Sequence, residues 1–258
     1  MQIIKLIKAK NARDLAGYSV NLKNISGKIS EGRLIRSAKL NKICEEDVQL
    51  LRDVYNVKKI IDLRTPAEIE QKSDVEIPGV KNISIPFFKK ALFGISHEKK
   101  WYARYDMNAI PDLEKSYAVL VSDSECIEAV KKILREIMNT DEGAVLWHCS
   151  EGKDRCGLIS MFVLSMLGSP LSEIYSDYLM TNDSCVKKAD FFYRLFKILM
   201  PWTDVAYRLR RALIADELYL KAALKKIEEI SGSLENYFAD VLGISEEERI
   251  AFARKVLA

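Results

Sequence analysis

The chain predicts an α/β fold, with a mainly parallel central sheet covered by helices on both faces. Three features carry this: strand-like runs alternate with helical ones, the apolar run at 144–147 passes directly into a helical pattern, and the chain after Leu171 is helical throughout. At 258 residues, 48% hydrophobic and 30% charged, the composition is that of a soluble globular protein, and a single domain is expected over 1–258. No internal repeat or low-complexity linker divides it.

The strand candidates are Arg33 to Ser37, Val57 to Asp62, Val80 to Ile85 and Ala144 to Trp147. Helical patterns at Glu45 to Tyr55 and Cys126 to Met138 fall between them, and Pro78-Gly79 and Pro86 bound the third strand. Met1 to Lys10, where Ile3, Ile4, Leu6 and Ile7 mix with lysines, reads as a first strand. The pattern loosens over an insert at 87–124. Its aromatics Phe87, Phe88, Phe93, Trp101, Tyr102, Tyr105 and Tyr117 either line a cleft or pack the insert onto the core.

A helical extension spans 171–258, with helices expected over Leu171 to Met180, Phe191 to Leu199 and Leu213 to Ile230. Ser245 and Glu248 form a capping box for the last helix. Large apolar groups around Phe191, Phe196, Ile198 and Trp202 are mixed with Lys187, Lys188, Arg194 and Lys197. That mixture suits either packing between helices or contact with a membrane surface.

The chemistry concentrates in Leu146-Trp147-His148-Cys149-Ser150-Glu151-Gly152-Lys153-Asp154-Arg155-Cys156. Ala144 to Trp147 fills a buried strand, Cys149 stands at its exit, and a helix begins near Arg155, continuing through Leu158, Ile159, Phe162 and Val163 until Gly168. A loop opening a helix points unpaired N–H groups and the positive end of the helix dipole at a dianion. The same field stabilises a thiolate. Cys149 is therefore the candidate nucleophile, and Arg155 offers a planar fork to two phosphoryl oxygens, as a lysine would not.

This segment resembles the signature of the cysteine-dependent phosphatases: His-Cys, five residues, then Arg. Its Gly-Lys-Asp-Arg ending is similar to that of the bacterial and fungal tyrosine and phosphoinositide phosphatases with an HCxxGKDR loop. Four further stretches resemble that branch in the same order: Asn11 to Gly17, Leu34 to Leu40, Ile60 to Arg64 and Asp177 to Asn182. The resemblance implies a protein tyrosine phosphatase-like fold, with the C-terminal helices as a lid over the active site. It also implies a phosphomonoester hydrolase working through a phosphocysteine intermediate on phosphotyrosine proteins, phosphoinositides or both. The other readings are a phosphate-binding adaptor that has lost its catalytic power, and cysteine-loop sulfur-transfer or arsenate-reductase chemistry.

Within the loop, the amides of Ser150, Glu151, Gly152, Lys153 and Cys156 are expected to surround the phosphate. Lys153 resembles the lysine that meets a second phosphate on an inositol ring. Asp154 is the favoured general acid, with Asp62 as its rival or as a second carboxylate that positions water or Arg155. His148, Arg36 and Arg64 are supporting residues, His148 resembling the histidine that fixes the loop. Two departures stand out. Cys156 replaces the usual serine or threonine, which predicts a slow second step, and it is placed to trap an oxidised Cys149 as a disulfide. Glu151 puts an acid into a loop built for anions.

The remaining composition narrows partners. With two histidines, His97 and His148, and no paired-cysteine spacing, neither a metal nor a cofactor is expected. A net charge of +3 gives no support for a nucleic-acid partner. No apolar run is long enough for a bilayer. Five scattered cysteines fit a reduced compartment and hence the cytoplasm, or export had a leader been removed. Nothing in the residues sets an oligomeric state.

Overall fold

The computed structural model describes residues 2–88, 110 and 112–257. Strands are β1 (Gln2–Ile3), β2 (Arg13–Asp14), β3 (Ser19–Leu22), β4 (Ile25–Lys28), β5 (Leu34–Ala38), β6 (Val57–Asp62), β7 (Lys81–Ser84) and β8 (Ala144–Cys149). Helices are α1 (Glu45–Gln49), α2 (Pro66–Gln71), α3 (Leu113–Leu120), α4 (Ser124–Met138), α5 (Asp154–Met166), α6 (Leu171–Leu179), α7 (Asn182–Leu199), α8 (Val205–Leu213), α9 (Glu217–Ser231), α10 (Leu234–Asn236) and α11 (Glu246–Leu257).

The main sheet runs β1-β2-β5-β8-β6-β7; β5, β8, β6 and β7 are parallel, and the two short N-terminal strands pair antiparallel at one edge. β3 and β4 form a separate hairpin. β8 lies between β5 and β6 and is buried along its whole length, which is why it reads as a continuous apolar run. Its alternate residues serve two cores. Val145 and Trp147 join Leu34 and Ile61 on the face covered by α4 and α5, whereas Ala144 and Leu146 join Ile35, Val57 and Ile60 under α1.

Several boundaries differ from the pattern reading. The predicted first strand shrinks to Gln2–Ile3, and the run at 45–55 is a short α-helix continued by a π-helical turn at Leu50–Val54. The helix predicted over Leu213 to Ile230 begins only at Glu217, and Leu213 is instead the last residue of α8. Asn182 causes the break: its side chain accepts from the Ala215 N–H at 2.8 Å and donates to the Ala215 carbonyl at 2.9 Å. Asp216 then caps α9. Of the insert aromatics, Phe87, Phe88 and Tyr117 are buried in the core; Phe93, Trp101, Tyr102 and Tyr105, and also His97, lie outside the described residues.

Helix α5 is buried at every position. Phe162 stacks on Tyr237 at 6.0 Å, and Arg249 of α11 donates to the Met166 and Ser165 carbonyls at 3.1 and 3.4 Å. Helices α6, α9 and α11 thus share one core with the sheet, whereas α7 and α8 pack together in a separate cluster around Val205 and Leu209.

Candidate active site

Cys149 ends β8 opposite Ala38 of β5, and the loop 150–153 leads into α5. The loop turns at Gly152, whose φ is +67°. A Cβ there would stand 2.8 Å from the backbone of Ser37 and Ala38, so glycine answers both to the left-handed conformation and to the close approach of β5.

The sequence stretches flanking the loop in space are the short motifs noted above, and they meet behind it. Arg36 donates to the Gly152 carbonyl at 2.7 Å and to Asp177 at 2.5 Å. Arg13 donates to the other Asp177 oxygen and to the Asp177 carbonyl, both at 2.7 Å. Asn11 donates to the Gly152 carbonyl at 2.8 Å and accepts from Arg13. Asp177 is fully buried between two guanidinium groups, and burial, which alone would raise its pKa, is overcome by Arg36 and Arg13, which hold it below the ordinary value.

Arg155 is held from the opposite side. Its Nη1 and Nη2 donate to both carboxylate oxygens of Glu68, at 2.6 and 2.9 Å, and Ser150 Oγ donates to Glu68 Oε1 at 2.6 Å. Glu68 also closes a capping box with Thr65 at the start of α2. Burial acts to raise the Glu68 pKa, yet Arg155, Ser150 and the Thr65 N–H hold it far below the carboxylate range. The carboxylate on Arg155 is therefore Glu68, a residue the sequence reading missed, and not Asp62. The Thr65-x-x-Glu68 spacing was its visible trace.

Asp62 is engaged elsewhere. Its oxygens accept from Arg64 Nε and Nη2 at 2.9 and 2.6 Å, and Arg64 Nη2 also donates to Asp74 at 2.7 Å. His148 is buried beside them, its Nε2 3.0 Å from Asp74 and its Nδ1 3.8 Å from Asp62. Burial lowers the His148 pKa, but the two carboxylates more than compensate and raise it overall. Asp62, Asp74 and His148 present ligand-type atoms within 4.8 Å of one another. The Arg64 guanidinium already bonds both carboxylates, so the donor set does not fit a metal.

Asp154 lines the cleft above the loop. Its Oδ1 accepts from Tyr117 at 2.9 Å, while Oδ2 has no hydrogen-bond partner among the described residues. Tyr117 in turn meets the Tyr178 hydroxyl at 2.7 Å. Lys153 does not project into open space: its Nζ donates to the Ala212 and Ile214 carbonyls at 2.7 and 3.2 Å, at the break between α8 and α9, and lies 3.4 Å from Asp154. Glu151 is exposed at the mouth of the cleft.

Cys149 is buried. Burial pushes its thiol up, but the adjacent Cys156 thiol, the Arg155 charge and the Cys156 N–H together bring it down to about 5. Cys156 shows the reverse: burial and the adjacent Cys149 raise its thiol well above the ordinary value, and the protonated thiol lies within donating distance of the Ser37 and Trp147 carbonyls, at 3.6 and 3.9 Å. The arrangement sets a thiol of lowered pKa at the end of β8, with the Arg155 guanidinium, the start of α5 and the Asp154 carboxyl group close in the chain, groups whose chemistry suits in-line attack on phosphorus.

A family model described as the tyrosine phosphatase family matches residues 4–258. A tyrosine-protein phosphatase of Nostoc commune is 30% identical over 145 residues, covering 56% of this chain and 46% of that protein, so the match spans less than half of the relative. The triple specificity protein phosphatase PtpB of Mycobacterium tuberculosis is 25% identical over 277 aligned positions, covering 95% of this chain and 96% of the relative. Among solved structures, the core catalytic domain of a PP-IP phosphatase from S. cerevisiae in complex with citrate is 14% identical, with a TM-score of 0.39, over 89% of this chain and 98% of that one.

Proposed function

Since the chain belongs to the tyrosine phosphatase family, we propose that it hydrolyses phosphomonoesters through a phosphocysteine intermediate, acting on phosphotyrosine proteins, phosphoinositides or both. The observation that carries this reading is the low Cys149 pKa, about 5, beside an Arg155 fixed by Glu68.

In the first step the Cys149 thiolate forms the S–P bond as the P–O bond to the leaving group breaks. Arg155 and the loop N–H groups hold the non-bridging oxygens, and Asp154 gives its proton to the departing oxygen. In the second step water attacks phosphorus, Asp154 takes its proton, and the thiolate leaves with a hydrogen bond from Cys156. Glu68, His148, Arg36 and Arg64 position the loop without touching substrate.

The reading extends to location and surroundings. The five cysteines are unpaired, which suits a reducing cytoplasm. Phe191, Ile198, Leu199 and Trp202 are exposed near Lys187 and Lys197, a mixture suited to transient contact with an anionic membrane surface. No helix among the described residues is long and apolar enough to cross a membrane.

Phosphate release from a phosphotyrosine peptide and from soluble phosphoinositides, by wild type and Cys149→Ser without added metal, tests the proposal. Release by wild type that vanishes with the serine is expected. Wild type that binds phosphate but releases none from either substrate would replace the enzyme with a phosphate-binding adaptor.

A further inference from the structure

The cleft above the phosphate loop, about 410 Å³, carries more positive charge than one phosphoryl group requires. Lys10, Lys39, Lys42 and Lys72 line it beside Ser150, Glu151 and Asp154. None of these four lysines forms an ion pair with a carboxylate among the described residues. Elsewhere in the chain lysines commonly do, as Lys59 does with Glu136 and Lys255 with Asp141.

The backbones of two of the four are tied to groups that support the loop, and the Lys72 side chain is exposed. Lys39 follows β5, and its N–H donates to the Ser150 carbonyl at 3.5 Å. The Lys72 carbonyl accepts from Arg64 Nη1 at 2.7 Å, tying it to the guanidinium that organises Asp62 and Asp74. Lys39 is half-buried. Burial pushes its ammonium below the ordinary pKa, and Lys72 and Arg64 push the same way against the opposing pull of Glu151 and Cys149. Lysines that outnumber the carboxylates lining the same cleft raise the energy of the empty cleft, and a bound anion relieves it.

Lys153 has already spent its ammonium on the Ala212 and Ile214 carbonyls. We propose that Lys39 and Lys72 form a second anion subsite beside the phosphate loop, which reads another phosphate on the same substrate molecule. The proposal rests on the phosphatase reading for the cleavage and adds its preferred chemistry: a compact polyol phosphate or headgroup, with one phosphate in the loop and the next on these lysines. A phosphotyrosine side chain, with one phosphate, leaves the subsite empty. Glu151 lines the same cleft, and its charge competes with the second phosphate for Lys39.

Binding to Cys149→Ser protein tests this without turnover, by calorimetry with an inositol monophosphate, an inositol bisphosphate with adjacent phosphates, and a short-chain phosphatidylinositol bisphosphate. The bisphosphate should bind at least about tenfold more tightly than the monophosphate, the scale of one hydrogen bond to a charged group. Adding Lys39→Gln and Lys72→Gln together should close that gap, and adding Glu151→Gln should widen it. The free and lipid-linked bisphosphates should show the same gap. A gap that survives the double substitution, no gap at all, or a gap confined to the lipid would overturn the subsite. Absence of turnover in wild type would instead sink the phosphatase reading and leave this measurement standing.

Discussion

Glu68 grips Arg155 with both carboxylate oxygens and, through one of them, also holds Ser150 of the phosphate loop. The carboxylate and the guanidinium are almost completely buried. The pair fixes the Arg155 guanidinium, leaving its Nε without a hydrogen-bond partner among the described residues, and couples the start of α2 to the first turn of α5, 87 residues away in sequence. Glu68→Gln keeps the shape and removes the charge. It should cost about 3 kcal/mol of stability, the scale for breaking a buried ion pair. With folding verified at the assay temperature, kcat/KM should still fall about 100-fold as the guanidinium loses its aim. Wild-type kcat/KM in a folded Glu68→Gln protein would show that Arg155 needs no such anchor.

The Cys149 pKa of about 5 sets a pH window. This group is depressed, so the thiolate is present above about pH 5 and is lost as pH falls through it. Alkylation of Cys149 by iodoacetamide should follow that midpoint, well below the ordinary thiol value of about 8.5. Arg155→Lys should move the midpoint up. A wild-type midpoint near the ordinary value would remove the nucleophile from the proposed mechanism.

Asp154 and Asp62 separate cleanly by substitution. Asp154→Asn should lower kcat by about 100-fold or more for substrates with poor leaving groups, and less for aryl phosphates that depart without a proton. Asp62→Asn should act through Arg64 and show no such dependence on the leaving group. If the leaving-group dependence appears with Asp62→Asn instead, the proton donor has been assigned to the wrong carboxylate.

Cys156 gives the thiolate a weak donor where a hydroxyl would be stronger. Cys156→Ser should raise turnover and lower the phosphoenzyme seen by intact mass after rapid quench. Unchanged turnover would place the slow step elsewhere. The same proximity predicts that mild peroxide converts Cys149 to a sulfenic acid, which Cys156 condenses into a disulfide with loss of water. Peptide mapping after treatment should find the linked pair in wild type and none in Cys156→Ser.

Asp177 neutralises Arg13 and Arg36 together, and all three are buried. Asp177→Asn should destabilise the fold by about 3 kcal/mol or more, read as a lowered urea midpoint, because two buried guanidinium groups lose their counter-ion. A shift under about 1 kcal/mol would mean that the Gly152 and Asn11 contacts suffice to hold them.

The parts of the site that were legible in sequence are those written in one continuous stretch. Cys149, Arg155 and the start of α5 are set by local spacing, and β8 announces itself by its apolar run. Arg13, Arg36 and Asp177 were visible only as pieces of short motifs. Their meeting is tertiary and depends on the register that sets Ala38 against Cys149. Glu68 was hidden because a Thr65-x-x-Glu68 cap is an ordinary helix start, and nothing nearby shows that its oxygens also serve a distant arginine. The direction of Lys153 was equally unreadable, since it is decided by carbonyls exposed at the break between α8 and α9.

In the proposed mechanism helix α5 meets the substrate anion at one end, and at the other the Arg249 guanidinium bonds the last carbonyls. Along its axis the helix is therefore terminated by opposite charges that each complement the local dipole. Helix α11, at the far end of α5 from the proposed phosphate loop, thus contributes to the electrostatics of the segment that would bind the substrate.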